Sequence, residues 1–172
     1  QSRAATANLQ AQTPDNGKPH QCKPVQKEYN EEDYKNNPLL QEWKTPYQTP
    51  PFDLIKVEHY LPAFYHALEL ADKEIYMISD QKSTPTFENT IVVLDRSGAL
   101  LTRISNVFFN MLSANTTPEL QKIAQEISPI LTKHSNEIYH NKALFNRVLE
   151  IYKLKDKLTK QEDKMLLEKT YR

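Results

Sequence analysis

The scarcity of glycine is the feature that most constrains how this chain can fold. Its 172 residues include only two glycines, Gly17 and Gly98. Dinucleotide-binding loops, P-loops and the nucleophile elbows of hydrolases need glycines at a close, fixed spacing that this pair does not provide. Hairpin turns and bulges of all-β proteins also depend on residues that accept positive φ. The low glycine content therefore excludes these sites and disfavours an all-β fold.

Charge and cysteine content exclude further classes of protein. The 22 Lys and Arg residues are balanced by 22 Asp and Glu residues, so no surplus of cations is available to neutralise the phosphates of a nucleic acid. The lone Cys22 excludes an intrachain disulfide and a cysteine-rich zinc site. No apolar run approaches the roughly 18 residues of a membrane span. We therefore expect neither a nucleic-acid partner nor a membrane span.

The first third of the chain divides into two parts. Residues 1–36 contain no Ile, Phe, Met or Trp, and such a segment cannot bury enough apolar surface to offset its ordering entropy. We predict a disordered tail or tether there. Residues 37–55 are interrupted by four prolines and carry Trp43, Tyr47 and Phe52. Prolines favour extended backbone, so we predict an extended proline-rich arm whose aromatic side chains pack on the following helices.

Apolar residues recur at helical spacing from residue 56 onward. The pattern predicts a first helix that starts near Leu61, because Pro62 is tolerated in a first turn. Thr86 is the predicted N-cap of a second helix that runs to about Ala114. Gly98 lies inside this second pattern, and close packing of another helix would explain a glycine there.

Three further helices complete the prediction. Thr117 and Pro118 are the N-cap and first residue of a helix that Pro129 should kink. Asn141 caps the next helix, and Thr159-Lys160-Gln161-Glu162 matches a capping box before the last one. The predicted fold class is therefore all-α, with long antiparallel helical hairpins that follow the arm and the tail.

None of the five histidines belongs to a recognisable zinc-peptidase motif. That motif, HExxH, needs a glutamate directly after its first histidine, and no histidine here is followed by Glu. Glu137 and His140 have the ExxH spacing of a di-iron bundle, but such a site needs a second copy. His134 is loosely placed beside them, and His66 with Glu69 has the same weakness. The favoured interpretation is that these Glu and His residues lie on solvated helix faces and bind no metal.

Charged and aromatic side chains on the second helix admit two interpretations. Asp95, Arg96 and Arg103 can form ion pairs within or between helices, or an arginine can hold a peptide carboxylate. The structural interpretation is favoured. Phe108 and Phe109 are predicted to contribute one ring to the core and one to a contact between helices. No residue is assigned a catalytic, cofactor-binding or metal-binding role.

Several specific blocks of sequence resemble a known family. They are Asn37-Pro38-Leu39-Leu40, Thr45-Pro46-Tyr47-Gln48-Thr49-Pro50-Pro51-Phe52, Ile55-Lys56-Val57-Glu58-His59-Tyr60-Leu61-Pro62-Ala63-Phe64, Pro85-Thr86-Phe87-Glu88-Asn89-Thr90-Ile91, Leu94-Asp95-Arg96-Ser97-Gly98, Phe108-Phe109-Asn110 and Leu144-Phe145-Asn146-Arg147. Residues 37–172 resemble the N-terminal region of bacterial peptidyl-dipeptidases of the Dcp type. These belong to the family of zinc metallopeptidases that includes thimet oligopeptidase and oligopeptidase A.

The resemblance implies a definite architecture and activity. Members of the family fold as two mostly helical halves around a deep channel, with zinc on its floor held by an HExxH helix and a further glutamate far downstream. The N-terminal helices form one wall and the roof, so that only short peptides enter, and Dcp-type members release dipeptides from peptide C-termini. None of the zinc ligands has a counterpart here. We therefore expect residues 37–172 to be truncated before the catalytic domain, and the chain alone to be inactive.

The same resemblance defines the expected partners and compartment. The partners would be short peptide substrates and the missing C-terminal catalytic domain, with zinc bound only in the full-length enzyme. An exposed apolar patch is expected where that domain docks. The tail suits an exported, periplasmic protein whose leader is removed, although members also occur in the cytoplasm. The alternative is a stand-alone helical module that binds peptides or a partner protein without catalysis.

Overall fold

A computed structural model describes residues 29–171. Within this range the secondary structure is helical and no strand occurs. The α-helices are α1 (Glu31–Lys35), α2 (Tyr60–Asp80), α3 (Val93–Arg96), α4 (Ala99–Ala114), α5 (Pro118–Tyr139), α6 (Lys142–Tyr152) and α7 (Gln161–Tyr171). A π-helix, Phe87–Val92, precedes α3, and single 3-10 turns occupy Pro46–Gln48, Val57–His59 and Lys155–Lys157. The predicted all-α fold class is confirmed.

The predicted helix starts follow from local capping chemistry. Helix α2 begins at Tyr60, with Pro62 in its first turn. The Thr117 hydroxyl oxygen accepts the amide of Leu120 at 3.3 Å, and Pro118 is the first residue of α5. The Asn141 side chain caps α6 in the same way. Each cap satisfies an amide that has no partner inside its helix.

The predicted single helix from Thr86 to Ala114 is wrong, because Gly98 interrupts it. The Thr86 cap is present, since its hydroxyl accepts the Asn89 amide at 3.1 Å. The backbone then forms the π-helix and α3, and α4 starts anew after Gly98. Gly98 has a φ of 67°, and its amide donates to the Glu74 carboxylate at 2.7 Å. A Cβ there would meet nothing within 4 Å, so the left-handed backbone requires glycine and close packing does not.

Helices α2, α4 and α5 form an up-down-up bundle around the main core. Phe108 on α4 packs edge-on against Tyr60 and Phe64 near the start of α2. Because Gly98, ahead of α4, meets Glu74 farther along α2, the two helices are antiparallel. Helix α5 runs antiparallel to α4 and therefore parallel to α2. The core of this bundle includes the fully buried Leu39, Ala63, Phe64, Ile104, Phe108 and Ile127.

A second, smaller core joins the remaining helices to the end of the bundle. Ile91 of the π-helix, Val148 and Ile151 of α6, and Leu167 of α7 form one buried cluster. Ile75, Ile78 and Leu144 form another where α6 meets the last turns of α2. No helix within residues 29–171 is long and apolar enough to cross a membrane.

The arm packs on the bundle through its first part and through Ile55. Leu39 is fully buried in the main core, and Trp43 is partly buried against it. Tyr47 is 99% exposed and Phe52 51% exposed, so the expectation that these two rings pack is wrong. The free energy that holds the arm comes from residues 37–43 and Ile55, and the intervening segment projects from the surface.

The helical part of the chain starts inside the segment predicted as a tail. Asn30 and Asp33 form a reciprocal capping box at the start of α1. The Tyr29 ring lies 5.8 Å from that of Tyr65 on α2, and the Tyr34 ring lies 4.9 Å from that of His66. The tail prediction is therefore wrong for residues 29–36. Its remaining part, residues 1–28, lies outside the described residues.

Candidate functional site

The ExxH pair lies on the outer face of α5 without a third ligand among the described residues. The carbonyl of Asn136 accepts a hydrogen bond from Nδ1 of His140 at 2.7 Å. Glu137 lies 3.8 Å from the ammonium of Lys133. A shallow depression of about 480 Å³ adjoins this pair, and residues of α5 and the following His140 line it. Residues 29–171 contain no group of three or more His, Cys, Asp or Glu side chains suited to a metal ion.

The other histidine candidates take part in helix packing. His134 Nδ1 lies 2.7 Å from a carboxylate oxygen of Asp72, and the His134 side chain is largely buried between α5 and α2. His66 contacts the Tyr34 ring, and Glu69 pairs with Lys73 at 2.7 Å. The structure therefore does not bring His66, Glu69 and His134 together as one site.

A tyrosine–carboxylate contact forms a second polar link between α2 and α5. The Tyr65 hydroxyl donates to Glu126 Oε1 at 3.0 Å. Burial, followed by this hydrogen bond to a carboxylate, raises the pKa of Tyr65 to about 12. The phenol therefore remains a protonated donor at neutral pH and cannot serve as a base there.

Arg103 anchors the arm and does not face a free cleft. Its guanidinium donates to the carbonyls of Leu39 at 2.8 Å and Gln41 at 3.3 Å. It also lies over the Trp43 ring at 4.6 Å from the centroid, a cation–π contact. Burial lowers the pKa of Arg103. Asp95 and Arg96 are exposed on α3, across the Gly98 break, so the three predicted charged residues do not converge.

Arg147 is the functional-looking residue that the sequence reasoning missed. It is only 7% exposed, and burial lowers the pKa of its guanidinium. It donates five hydrogen bonds at 3.0–3.3 Å to the carbonyls of Gln81 and Ser83 and to the side chains of Asn89 and Thr90. One signal could have found it, because Leu144, Arg147, Val148 and Ile151 share the apolar face of α6.

The five hydrogen bonds of Arg147 fix the connection between α2 and the π-helix. They join α6 to a segment 57–66 residues earlier in the chain. All five donors of the guanidinium are used, and the acceptors are neutral. Arg147 therefore binds backbone and side-chain oxygens of its own fold, and no donor is left for a substrate.

The arm loop, which we define as residues 45–57, contains more exposed large apolar side chains than any other segment of this length in residues 29–171. It carries Tyr47, Phe52, Leu54 and Val57, all of them substantially exposed. Phe109, predicted to make a contact between helices, packs edge-on against Phe108 at 5.1 Å and stays partly exposed. The described residues thus present an exposed apolar segment and no constellation of nucleophile, base and electrophile.

These features define an all-α protein in which Arg103 and Arg147 form buried or partly buried hydrogen bonds and in which the arm loop is exposed. No protein-family model matches the chain. It is 41% identical over 131 residues to a dipeptidyl carboxypeptidase of Salmonella typhimurium, an alignment that covers 76% of this chain and 19% of that protein. It is 40% identical to the dipeptidyl carboxypeptidase of Escherichia coli, over 71% of this chain and 18% of that protein.

A more distant relative has a different peptidase name. Oligopeptidase A of Escherichia coli is 29% identical over 63% of this chain and 15% of its own length. The chain belongs to the peptidase family that contains the dipeptidyl carboxypeptidases and oligopeptidase A. It spans less than a fifth of the length of these relatives.

Proposed function

We propose that this chain is the N-terminal, channel-forming part of a zinc peptidyl-dipeptidase that removes dipeptides from the C-termini of short peptides. The observation that carries the proposal is the 41% identity to a dipeptidyl carboxypeptidase over three quarters of the chain. The short peptides and the remaining part of the same polypeptide are its proposed partners. In this role the helices restrict access to the channel and contribute no catalytic group.

The described residues do not fit a zinc site. Structural and catalytic zinc sites use at least three protein ligands with free lone pairs. Nδ1 of His134 contacts Asp72 and Nδ1 of His140 is bonded to the Asn136 carbonyl, so each imidazole has only Nε2 left to offer a metal. No third His, Cys, Asp or Glu within residues 29–171 joins Glu137 and His140, which leaves the pair one ligand short. We propose that the zinc of the full-length enzyme is bound by residues outside this chain.

A comparison of two polypeptides tests the proposed activity. One is the full-length product of the gene that encodes this chain, and the other is the 172-residue chain alone. Each is incubated with short peptides of defined sequence, and the products are identified by mass spectrometry. We expect the full-length protein to release C-terminal dipeptides and to lose this activity with a zinc chelator. Release of single amino acids or internal cleavage would contradict the dipeptidase assignment, and cleavage by the 172-residue chain would contradict its accessory role.

The exposed arm loop favours one alternative function. A helical module that binds peptides or a partner protein would also present an unpaired apolar segment such as Tyr47 to Val57. Under this alternative the native gene product has a mass near 20.1 kDa and binds its partner without cleaving it. The peptide-cleavage assay described above separates the two functions, because a binding module would release no dipeptide.

A further inference from the structure

Exposed large apolar side chains are concentrated in the arm loop. Tyr47 is 99% exposed, Phe52 51%, Leu54 58% and Val57 40%. The other large apolar side chains with comparable exposure are spread over the described residues between Leu70 and Met165. Single exposed apolar residues are normal on a protein surface, whereas several within one short segment are a candidate site of interaction.

The arm loop is held at both ends, so its position on the bundle is fixed. On one side Arg103 binds the carbonyls of Leu39 and Gln41 and lies over Trp43. On the other side Ile55 packs against the main core, and Tyr60 is buried at the start of α2. A segment whose ends are fixed loses less conformational entropy when a partner binds it.

A strained turn directs Tyr47 away from the protein. Tyr47 and Gln48 both have positive φ, 58° and 53°, which is uncommon for residues other than glycine. Hydrogen bonds maintain the turn, since the carbonyl of Thr45 accepts the Gln48 amide and the carbonyl of Pro46 accepts the Thr49 amide and hydroxyl. The Thr45 hydroxyl also donates to the Thr49 carbonyl. Strain of this kind clusters at functional sites.

The charges around the loop and the length of the relatives indicate which partner it binds. Lys44 and Lys56 are balanced by Asp53 and Glu58, so the loop lacks the excess of cations that an anionic membrane or a nucleic acid would attract. More than four fifths of the dipeptidyl carboxypeptidases lies outside the aligned segment. We infer that the arm loop is the docking surface for the remaining part of the same peptidase polypeptide, an inference that rests on the proposed function.

Hydroxyl-radical footprinting of two polypeptides tests this docking surface. The reaction rates of Tyr47 and Phe52 are measured in the 172-residue chain and in the full-length gene product. We expect both rates to fall in the full-length protein, that of Tyr47 by about fivefold or more, because side chains at the centre of an interface are desolvated. Equal rates in the two polypeptides would overturn the inference.

Variants of the loop provide the second measurement. The triple variant Tyr47→Asn, Phe52→Ser, Leu54→Ser removes the apolar surface, and asparagine tolerates the left-handed backbone at position 47. We expect this variant to leave the thermal midpoint of the 172-residue chain unchanged and to lower that of the full-length protein by several degrees. The control, Met77→Ser, removes a comparably exposed side chain from α2 and should affect the full-length protein less.

The outcomes separate this inference from the proposed function. A full-length protein that releases dipeptides but leaves Tyr47 reactive would overturn the docking surface and keep the function. A protein that protects Tyr47 but cleaves no peptide would contradict the function and keep the docking surface. Protection of Tyr47 in the 172-residue chain that increases with protein concentration would identify a second copy as the partner and overturn the inference.

Discussion

Removal of the buried Arg147 guanidinium should destabilise the fold more than any exposed substitution. In Arg147→Met the volume is largely kept, but the carbonyls of Gln81 and Ser83 and the Thr90 hydroxyl lose their donor. The Thr90 hydroxyl is fully buried, and a buried acceptor without a partner costs about 1–3 kcal/mol. The two carbonyls are partly buried, so water replaces part of what they lose. The guanidinium no longer has to be dehydrated, which offsets part of this loss. We expect a net loss of about 2–4 kcal/mol in the free energy of unfolding.

The lysine variant distinguishes hydrogen bonding from charge. In Arg147→Lys the positive charge is kept, but an ammonium donates at most three hydrogen bonds and lacks the planar fork of arginine. We expect it to lose about 1–3 kcal/mol, less than the methionine variant. Both losses are large compared with the total stability of about 5–15 kcal/mol for a typical domain.

Urea unfolding followed by far-ultraviolet circular dichroism measures these changes. The control is Arg96→Met, which removes an exposed arginine from α3 and should change the free energy of unfolding by less than about 0.5 kcal/mol. The reasoning would be refuted if Arg147→Met were as stable as the control, or if the lysine variant were less stable than the methionine variant.

Three further predictions concern the contacts between helices. Burial and a carboxylate raise the pKa of Tyr65 from 10.0 to about 12, so its contribution to stability is complete below pH 10 and is lost as the pH rises toward 12. The variant Tyr65→Phe should lose less stability over that window, as measured by alkaline unfolding curves. An identical loss in the two proteins would contradict the assignment. Gly98→Ala should cost about 1 kcal/mol from its left-handed backbone, and Gly98→Asn less, as measured by thermal unfolding; equal stability of all three proteins would contradict the strain argument. A double-mutant cycle with His134→Gln and Asp72→Asn should give a coupling energy of about 0.5–1.5 kcal/mol at neutral pH, and additive effects would show that the contact is not stabilising.

The sequence predicts those parts of the fold that depend on neighbours in the chain. The caps at Thr86, Thr117 and Asn141 each involve an amide three residues away, so a short motif contains the whole interaction. The apolar periodicity likewise places Ile104 and Phe108 in the core. Helix existence, start and buried face are therefore readable from residues within one or two turns.

The sequence does not predict features that depend on distant residues. At the Gly98 break the free amide is bound by Glu74, which lies 24 residues earlier, and glycine inside an apolar pattern is compatible with either a break or close packing. The packing of Tyr29 depends on Tyr65 of α2, so a polar composition alone misplaces the end of the tail. A local pattern cannot show which distant groups satisfy a buried polar atom.

The candidate site was predictable only in part for the same reason. The sequence predicts ion pairs for Arg103, whereas its guanidinium donates to the carbonyls of Leu39 and Gln41, which lie more than 60 residues away. Arg147 looks like an ordinary helix residue until its acceptors are known. The sequence predicts that the aromatic rings of the arm loop pack on the helices, and only the structure shows that Tyr47 projects.

The mass and zinc content of the native gene product test the central claim most directly. The protein is isolated from its source, its intact mass is measured by mass spectrometry, and zinc is quantified in the same sample. The account predicts a polypeptide several times heavier than 20.1 kDa that contains about one zinc ion per chain, as in a single catalytic zinc site. A metal-free product of about 20 kDa would contradict the claim and would assign the chain to the class of helical binding modules.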